Sequence, residues 1–320
     1  MSHRFDCPGS LRRLTGLFCF VVILALAQRS EAQTVQANQA DLARTQSEIA
    51  GLNAYPGGVA PASPNDSDLG EQQILTGGGA AAGYQPFTAS VALPIFWTSN
   101  AALTRSHEQS DWLETPLAAL YYQPRITNAL YGIVGVREQL FYYDRYTGLN
   151  FGSFDVEAGL IYSVPQWHNL ILRGEFLYNR LTQKNSFASF FSNYSIFLNA
   201  EVPFKIDRAQ QISLGADANL SITADPEPPR RNDYEVYIGY NAGLTRSISF
   251  DAVGRVVMRT YQLTNRIDVS EILAASATYS VNKYITASAI STFVFNQSNH
   301  SEFDYKAVNL GGVLSLSVKF

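Results

Sequence analysis

From Gln85 to Phe320 the sequence alternates apolar and polar residues with a period of two, almost without interruption. Residues 212–222 put Ile212, Leu214, Ala216, Ala218, Leu220 and Ile222 on one face, and Ser213, Gly215, Asp217, Asn219 and Ser221 on the other. Residues 234–244 and 308–320 repeat the pattern. Successive side chains of a strand point to opposite faces, so each run reads as a strand with one apolar and one polar side. Twelve strands are expected, at 86–98, 115–123, 129–143, 151–164, 169–181, 190–204, 210–223, 232–245, 248–262, 269–280, 284–296 and 305–320. Pro94 and Pro116 interrupt the first two, and a proline removes a ladder donor.

The connections alternate in length. One set is short (124–128, 165–168, 205–209, 246–247, 281–283), and the other is mostly longer and more polar (99–114, 144–150, 182–189, 224–231, 263–268, 297–304). The repeating unit is therefore a hairpin. No helical pattern is left over to cover the apolar face. The polar face carries charges such as Asp217, Glu235 and Arg255, which makes it a poor shared core for two packed sheets. Aromatic residues gather near strand ends, among them Tyr162, Trp167, Phe204 and Tyr284. Lipid outside and water inside satisfy both faces. A sheet edge in lipid would strand backbone donors and acceptors, so the sheet must close. A secreted β-sandwich shares the alternation but not the other features.

The first 32 residues have the three-part pattern of a secretory signal: Arg4, Arg12 and Arg13, then the apolar run Leu17–Ala27, then Ser30-Glu31-Ala32 before Gln33. The apolar run is too short for a spanning helix, which needs about 20 residues. Cleavage near Ala32 removes both cysteines, Cys7 and Cys19, and leaves a mature chain of 288 residues with net charge −6. A disulfide framework or thiolate metal site is thereby excluded. The acidic balance also leaves no basic footprint for nucleic acid. With 12% aromatic and 16% charged residues, the composition is not that of a disordered chain.

Residues 33–84 differ from the rest. Val35, Leu42 and Ile49 recur at intervals of seven, which suggests a short amphipathic helix, and Pro56, Pro61, Pro64 and the Gly/Ala cluster at 77–83 suggest a linker. The expected organisation is a signal peptide (1–32), a flexible or partly helical periplasmic segment (33–84) and a barrel (85–320). Some 50 residues before the barrel leave no room for the large passenger of an autotransporter. That segment would plug the barrel, dock a periplasmic partner or hold an oligomer together.

The last strand, VLSLSVKF (313–320), has apolar residues at alternate positions and ends on Phe320. It resembles the C-terminal signal of Gram-negative outer-membrane β-barrel proteins, and the resemblance extends over about 85–320 at the level of the class. It implies an all-β fold, a closed antiparallel transmembrane β-barrel. It also implies periplasmic short turns and termini, external long loops, and Phe320 as the signal read by the barrel-assembly machinery. Outer-membrane lipid and lipopolysaccharide would be the surroundings after Sec export.

The polar register, turned inward, presents Asp155, Glu157, Glu175, Glu201, Asp217, Glu235 and Asp251 as acids, with Arg137, Arg173, Arg255, Arg259 and Lys319 as bases. These residues would either line a water-filled passage or fill the interior with salt bridges. About eight strands can be filled by side chains and about sixteen leave a channel, so twelve permits a narrow pore. The expected function is porin-like passage of small polar solutes. Seven acids against five bases favour cations weakly. The alternative is a plugged or structural, secretion-associated barrel with adhesive outer loops such as 224–233. Tyr237 and Tyr261 also point inward; a sugar could stack on their faces, but tyrosine is common in barrels and the plain structural reading is preferred. No serine lies near a histidine on a lipid-facing register, so the triad logic of acyl transfer finds no footing and no enzyme activity is expected. His107, Glu108 and Asp111 in the first long loop and His300, Glu302 and Asp304 in the last are the only metal-type constellation. Neither a resident metal nor a cofactor is expected.

Overall fold

The computed structural model describes residues 33–47, 85–184 and 188–320. The signal region, Ile49 of the heptad stripe and the proposed linker lie outside the described residues. Thirteen strand segments form one antiparallel sheet: β1 (Phe87–Thr98), β2 (Asp111–Glu114), β3 (Leu117–Tyr122), β4 (Leu130–Tyr143), β5 (Phe151–Val164), β6 (Leu170–Gln183) and β7 (Ser189–Lys205) in the first half. The second half comprises β8 (Gln210–Asp225), β9 (Arg231–Gly243), β10 (Ile248–Tyr261), β11 (Ile267–Ser280), β12 (Ile285–Ser298) and β13 (Tyr305–Lys319). β2 and β3 both pair with β1 on one side and β4 on the other, so together they make one interrupted strand of a closed twelve-strand barrel.

The expected second strand thus starts earlier, at Asp111, and is broken at Thr115-Pro116. Pro116 has no N–H to give. Single hydrogen bonds carry the ladder past the break: Thr115 N–H to Pro94 O at 2.9 Å and Leu140 N–H to Pro116 O at 3.0 Å. β1 and β13 close the sheet in register from Thr88↔Lys319 to Thr98↔Asn309. At the end of that seam Phe87 and Phe320 exchange two backbone hydrogen bonds of 3.0 Å.

Four of the five short turns share one local device. Thr127 Oγ1, Asp207 Oδ1, Thr245 Oγ1 and Asn282 Oδ1 each accept a backbone N–H two residues on. This side-chain mimicry of a turn fixes a tight reversal with few residues. The fifth short turn uses Pro165–Trp167 as a 3-10 turn, followed by His168 and Asn169 at positive φ. At the other end several loops are shorter than expected, because the strands extend: β6 runs to Gln183, β8 to Asp225, and β9 begins at Arg231.

The alternation matches the two faces. Val91, Leu93, Ile95, Leu214, Val236, Ile238, Leu273 and Leu314 are exposed on the outside. On the alternate positions of the same strands, Ser90, Ser213, Ser270, Ser276 and Ser315 are buried inside. An apolar outer band with Tyr122, Tyr162, Trp167, Phe204 and Tyr284 exposed at the short-turn end is the surface a bilayer requires.

Residues 33–47 form a helix, α1. In the chain it precedes the barrel, but in space it lies inside it. Ala40 and Ala43 pack on Phe141, Phe151, Leu181 and Phe191, while Leu42 and Val35 pack on Leu103, Val257, Ile272, Val294 and Tyr305. The small alanine face lets the helix approach the stacked Phe141–Phe151 rings, whose centroids are 4.1 Å apart. Gln33 Nε2 donates to Phe190 O at 3.0 Å, close to the long-loop end of β7, and Gln46 Nε2 reaches Thr292 Oγ1 midway along β12 at 3.5 Å. The helix therefore descends from the long-loop mouth, whereas β1 begins at the opposite mouth.

Candidate functional site: the charged lumen and its helix

The inward register of the strands determines which charges meet. Arg137 on β4 and Asp155 on β5 are register partners, and Arg137 Nη2 lies 2.9 Å from Asp155 Oδ2. Arg44 of α1 takes the other carboxylate oxygen at 2.8 Å, and Asn179 on β6 donates to it as well, at 2.7 Å. Arg44 Nη1 also holds Asp41 Oδ1, three residues earlier on the same helix, at 2.8 Å. Asp41 in turn pairs with Arg231 on β9. Arg231 binds Asp233 at 3.0 Å and donates from Nη1 to Asn38 Oδ1 of the helix at 2.5 Å. Arg259 on β10 stands 3.8 Å from Asp233. A chain of alternating charges therefore runs from one wall to the other through the helix: Arg137, Asp155, Arg44, Asp41, Arg231, Asp233, Arg259.

Other charges close locally. Arg173 and Glu175 are paired on β6, with Nη2 to Oε2 at 2.6 Å. Arg255 and Glu235 meet at 3.3 Å. Arg266 pairs with Asp268 and is sandwiched by Phe303 and Tyr261, 3.4 and 4.2 Å from the ring centroids. Charged groups withdrawn from water need such partners, because an unpaired one costs several kcal/mol.

A polar cavity of about 210 Å³ lies between the helix and the wall. Nine of the twelve charged residues expected on the inner face line it: Arg137, Asp155, Glu157, Arg173, Glu175, Asp217, Glu235, Arg255 and Arg259. The other three are elsewhere. Glu201 is buried beneath Tyr237, whose hydroxyl donates to it at 2.8 Å. Asp251 is buried near the short-turn end and accepts from Asn241 at 2.6 Å. Lys319 keeps the inward register opposite Thr88 but is exposed at the short-turn mouth. Phe320 is exposed and stacks on Phe87 with centroids 5.5 Å apart. Neither inward tyrosine offers an open face: Arg255 lies over Tyr237 and Arg266 over Tyr261.

Five of the six loop residues of the metal-type constellation are engaged otherwise. Asp111 accepts the backbone N–H groups of Trp112, Arg145 and Tyr146. Glu108 faces Lys306, Asp304 faces Arg105 and His300 faces Glu302. Among the described residues no group of three or more His, Cys, Asp or Glu side chains converges on a metal position.

Sequence reasoning missed Asp41, Arg44, Arg231 and Asp233. The signal that points to them is on the wall. Phe141, Phe151, Leu181, Val257, Ile272 and Val294 sit on the inward register, where polar residues are the rule, and these are the positions α1 covers.

No protein-family model matches the chain, and no curated protein sequence matches it. The fold has many structural neighbours. The chain is similar to an outer membrane channel from Pseudomonas putida F1, with TM-score 0.56 and 9% identity, over 75% of this chain and 99% of that one. The translocator domain of the autotransporter NalP from Neisseria meningitidis aligns with TM-score 0.43 and 10% identity, over 78% and 93%. The β domain of the Bordetella autotransporter BrkA aligns with TM-score 0.38 and 9% identity, over 71% and 97%. At such identities the first likeness establishes the fold, that of Gram-negative outer-membrane barrels.

Proposed function

We propose that this chain is an outer-membrane channel for small polar solutes whose lumen is closed by its own N-terminal helix. The observation that carries the reading is the wall-to-wall charge chain through Arg44 and Asp41. The helix is held in the lumen by a narrow apolar edge together with ion pairs and amide contacts, and the polar contacts are ones that water can replace. A twelve-strand wall is wide enough for passage once its contents move. The acidic surplus of the inner face gives the open state a mild cation preference. The chain is read as a transport protein rather than an enzyme, exported with a cleaved signal and inserted in the outer membrane.

Single-channel recording in planar bilayers tests this, comparing the refolded mature protein with a variant lacking residues 33–47. Rare openings of the mature protein and large, long-lived steps of the deletion variant are expected. A salt gradient should give a reversal potential of the sign for cations. If both proteins are silent while each runs as a heat-resistant folded band, the barrel is structural and the reading fails.

A further inference from the structure

The outer wall is apolar by rule, and two rows of outward side chains depart from it in the same way. On β4, β5 and β6, Glu138, Phe154 and Arg180 are successive register partners. On β11, β12 and β13, Glu271, Phe295 and Lys306 are successive register partners too. Each row reads acid, phenylalanine, base across three neighbouring strands, so acid and base stand about 10 Å apart at their Cα atoms. Each row also borders a groove in the lipid-facing surface. The groove at Glu271, Phe295 and Lys306 holds about 880 Å³ and is walled by Val236, Ile238, Val256, Leu273 and Phe293. Gly254 is its floor, and a Cβ there would meet only Ile238 Cγ2 at 3.7 Å. The groove at Glu138 and Phe154 holds about 430 Å³, with Ala89 and Ala118 low among Val91, Leu120 and Leu316. In both, small residues beside large ones make the hollow, and a carboxylate stands at its rim.

We infer that each row with its groove is a binding site for phosphatidylethanolamine. The groove takes an acyl chain, the base takes the phosphate and the acid takes the ammonium. Charge complementarity selects this head. A base alone would attract any phosphate, but the carboxylate in the same row repels a purely anionic head and accepts N–H donors. A choline head brings the same two charges and has no N–H to give. A carboxylate on the lipid-facing wall is costly, and a cation held against it offsets that cost. Lys306 stands 3.7 Å from Glu108 of the first long loop and keeps 70% of its side chain exposed, so its ammonium has surface left to meet a phosphate. The inference concerns the outer face of the barrel and does not depend on what passes through the lumen.

Native mass spectrometry tests the inference. The full mature chain is refolded into vesicles of equal parts phosphatidylethanolamine, phosphatidylglycerol and phosphatidylcholine with identical acyl chains, then released into mild detergent. Retention of two lipids is expected, with phosphatidylethanolamine favoured about fivefold over either other lipid, a preference of about 1 kcal/mol. Glu138→Gln and Glu271→Gln together should bring the three lipids to equal retention. Removing charge from the lipid face does not endanger the barrel, so this pair remains readable. Gly254→Leu fills one groove and should remove one of the two bound lipids. Retention by the parent in the proportions of the vesicle, or with phosphatidylglycerol in excess, overturns the inference. So does an unchanged preference after both carboxylates are neutralised, or an unchanged lipid count in Gly254→Leu that runs as a heat-resistant folded band.

Discussion

A single hydrogen atom on the inner wall shows how tightly the lumen is packed. Gly215 is the register partner of Tyr237, and the end of the tyrosine side chain occupies the space a Cβ would fill. Glycine inside a strand often marks such a close approach. The ring needs that position to bring its hydroxyl to Glu201 and to receive Asn199 at 3.1 Å. Gly215→Ala should lift the ring and break the pair, destabilising the barrel by about 1–3 kcal/mol, as overpacking does. Gly254 is the comparison, since a Cβ there would meet only Ile238 Cγ2 at 3.7 Å. Urea unfolding in lipid vesicles should show a lowered midpoint for Gly215→Ala and little change for Gly254→Ala. The inward placement of Glu201, Asp251 and Arg259 follows from parity alone and was legible in the sequence. Which group each would meet was not, because partners across the lumen are set by the curvature of the closed sheet and by a helix from elsewhere in the chain.

At the scale of elements, the strands were legible and the helix site was not. Period-two alternation placed β4 to β13 within a few residues because two different solvents impose it on every residue. Arg231 was lost because PEPPRRND reads as a loop, while β9 begins one residue before the expected strand. The heptad stripe suggests no more than a marginal helix on a tether, whereas Leu42 is buried against the wall and Val35 partly buried beside it. The same stripe fits a plug, a partner or an oligomer, and only the apolar positions on the inward register distinguish the plug. Leu42→Glu puts a carboxylate among Leu103, Val257, Ile272 and Val294. Burying an unpaired charge is costly enough to expel the element that carries it. Bilayer recordings should show that variant open for a much larger fraction of time than the parent, with the step size of the helix-deleted barrel.

At the scale of the molecule, outside and inside obey opposite rules. Leu314 is exposed on the outer face of β13 midway along the closing seam, beside Leu93 of β1 in register. Leu314→Arg should cost about 2–4 kcal/mol of barrel stability, as charges near the bilayer midplane do. The loss should appear in lipid vesicles as a lower unfolding midpoint. A soluble protein of the same shape would not register it. The closed seam also changes the chemistry of the plug. The helix and the lumen it fills belong to one covalent chain, so re-entry is a unimolecular event with its own effective concentration, set by the length of chain that joins them. No dilution in the periplasm or outside the cell weakens it. A free peptide copied from residues 33–47, added to the helix-deleted barrel, would have to reach that concentration to restore the closure that one tethered copy maintains by itself.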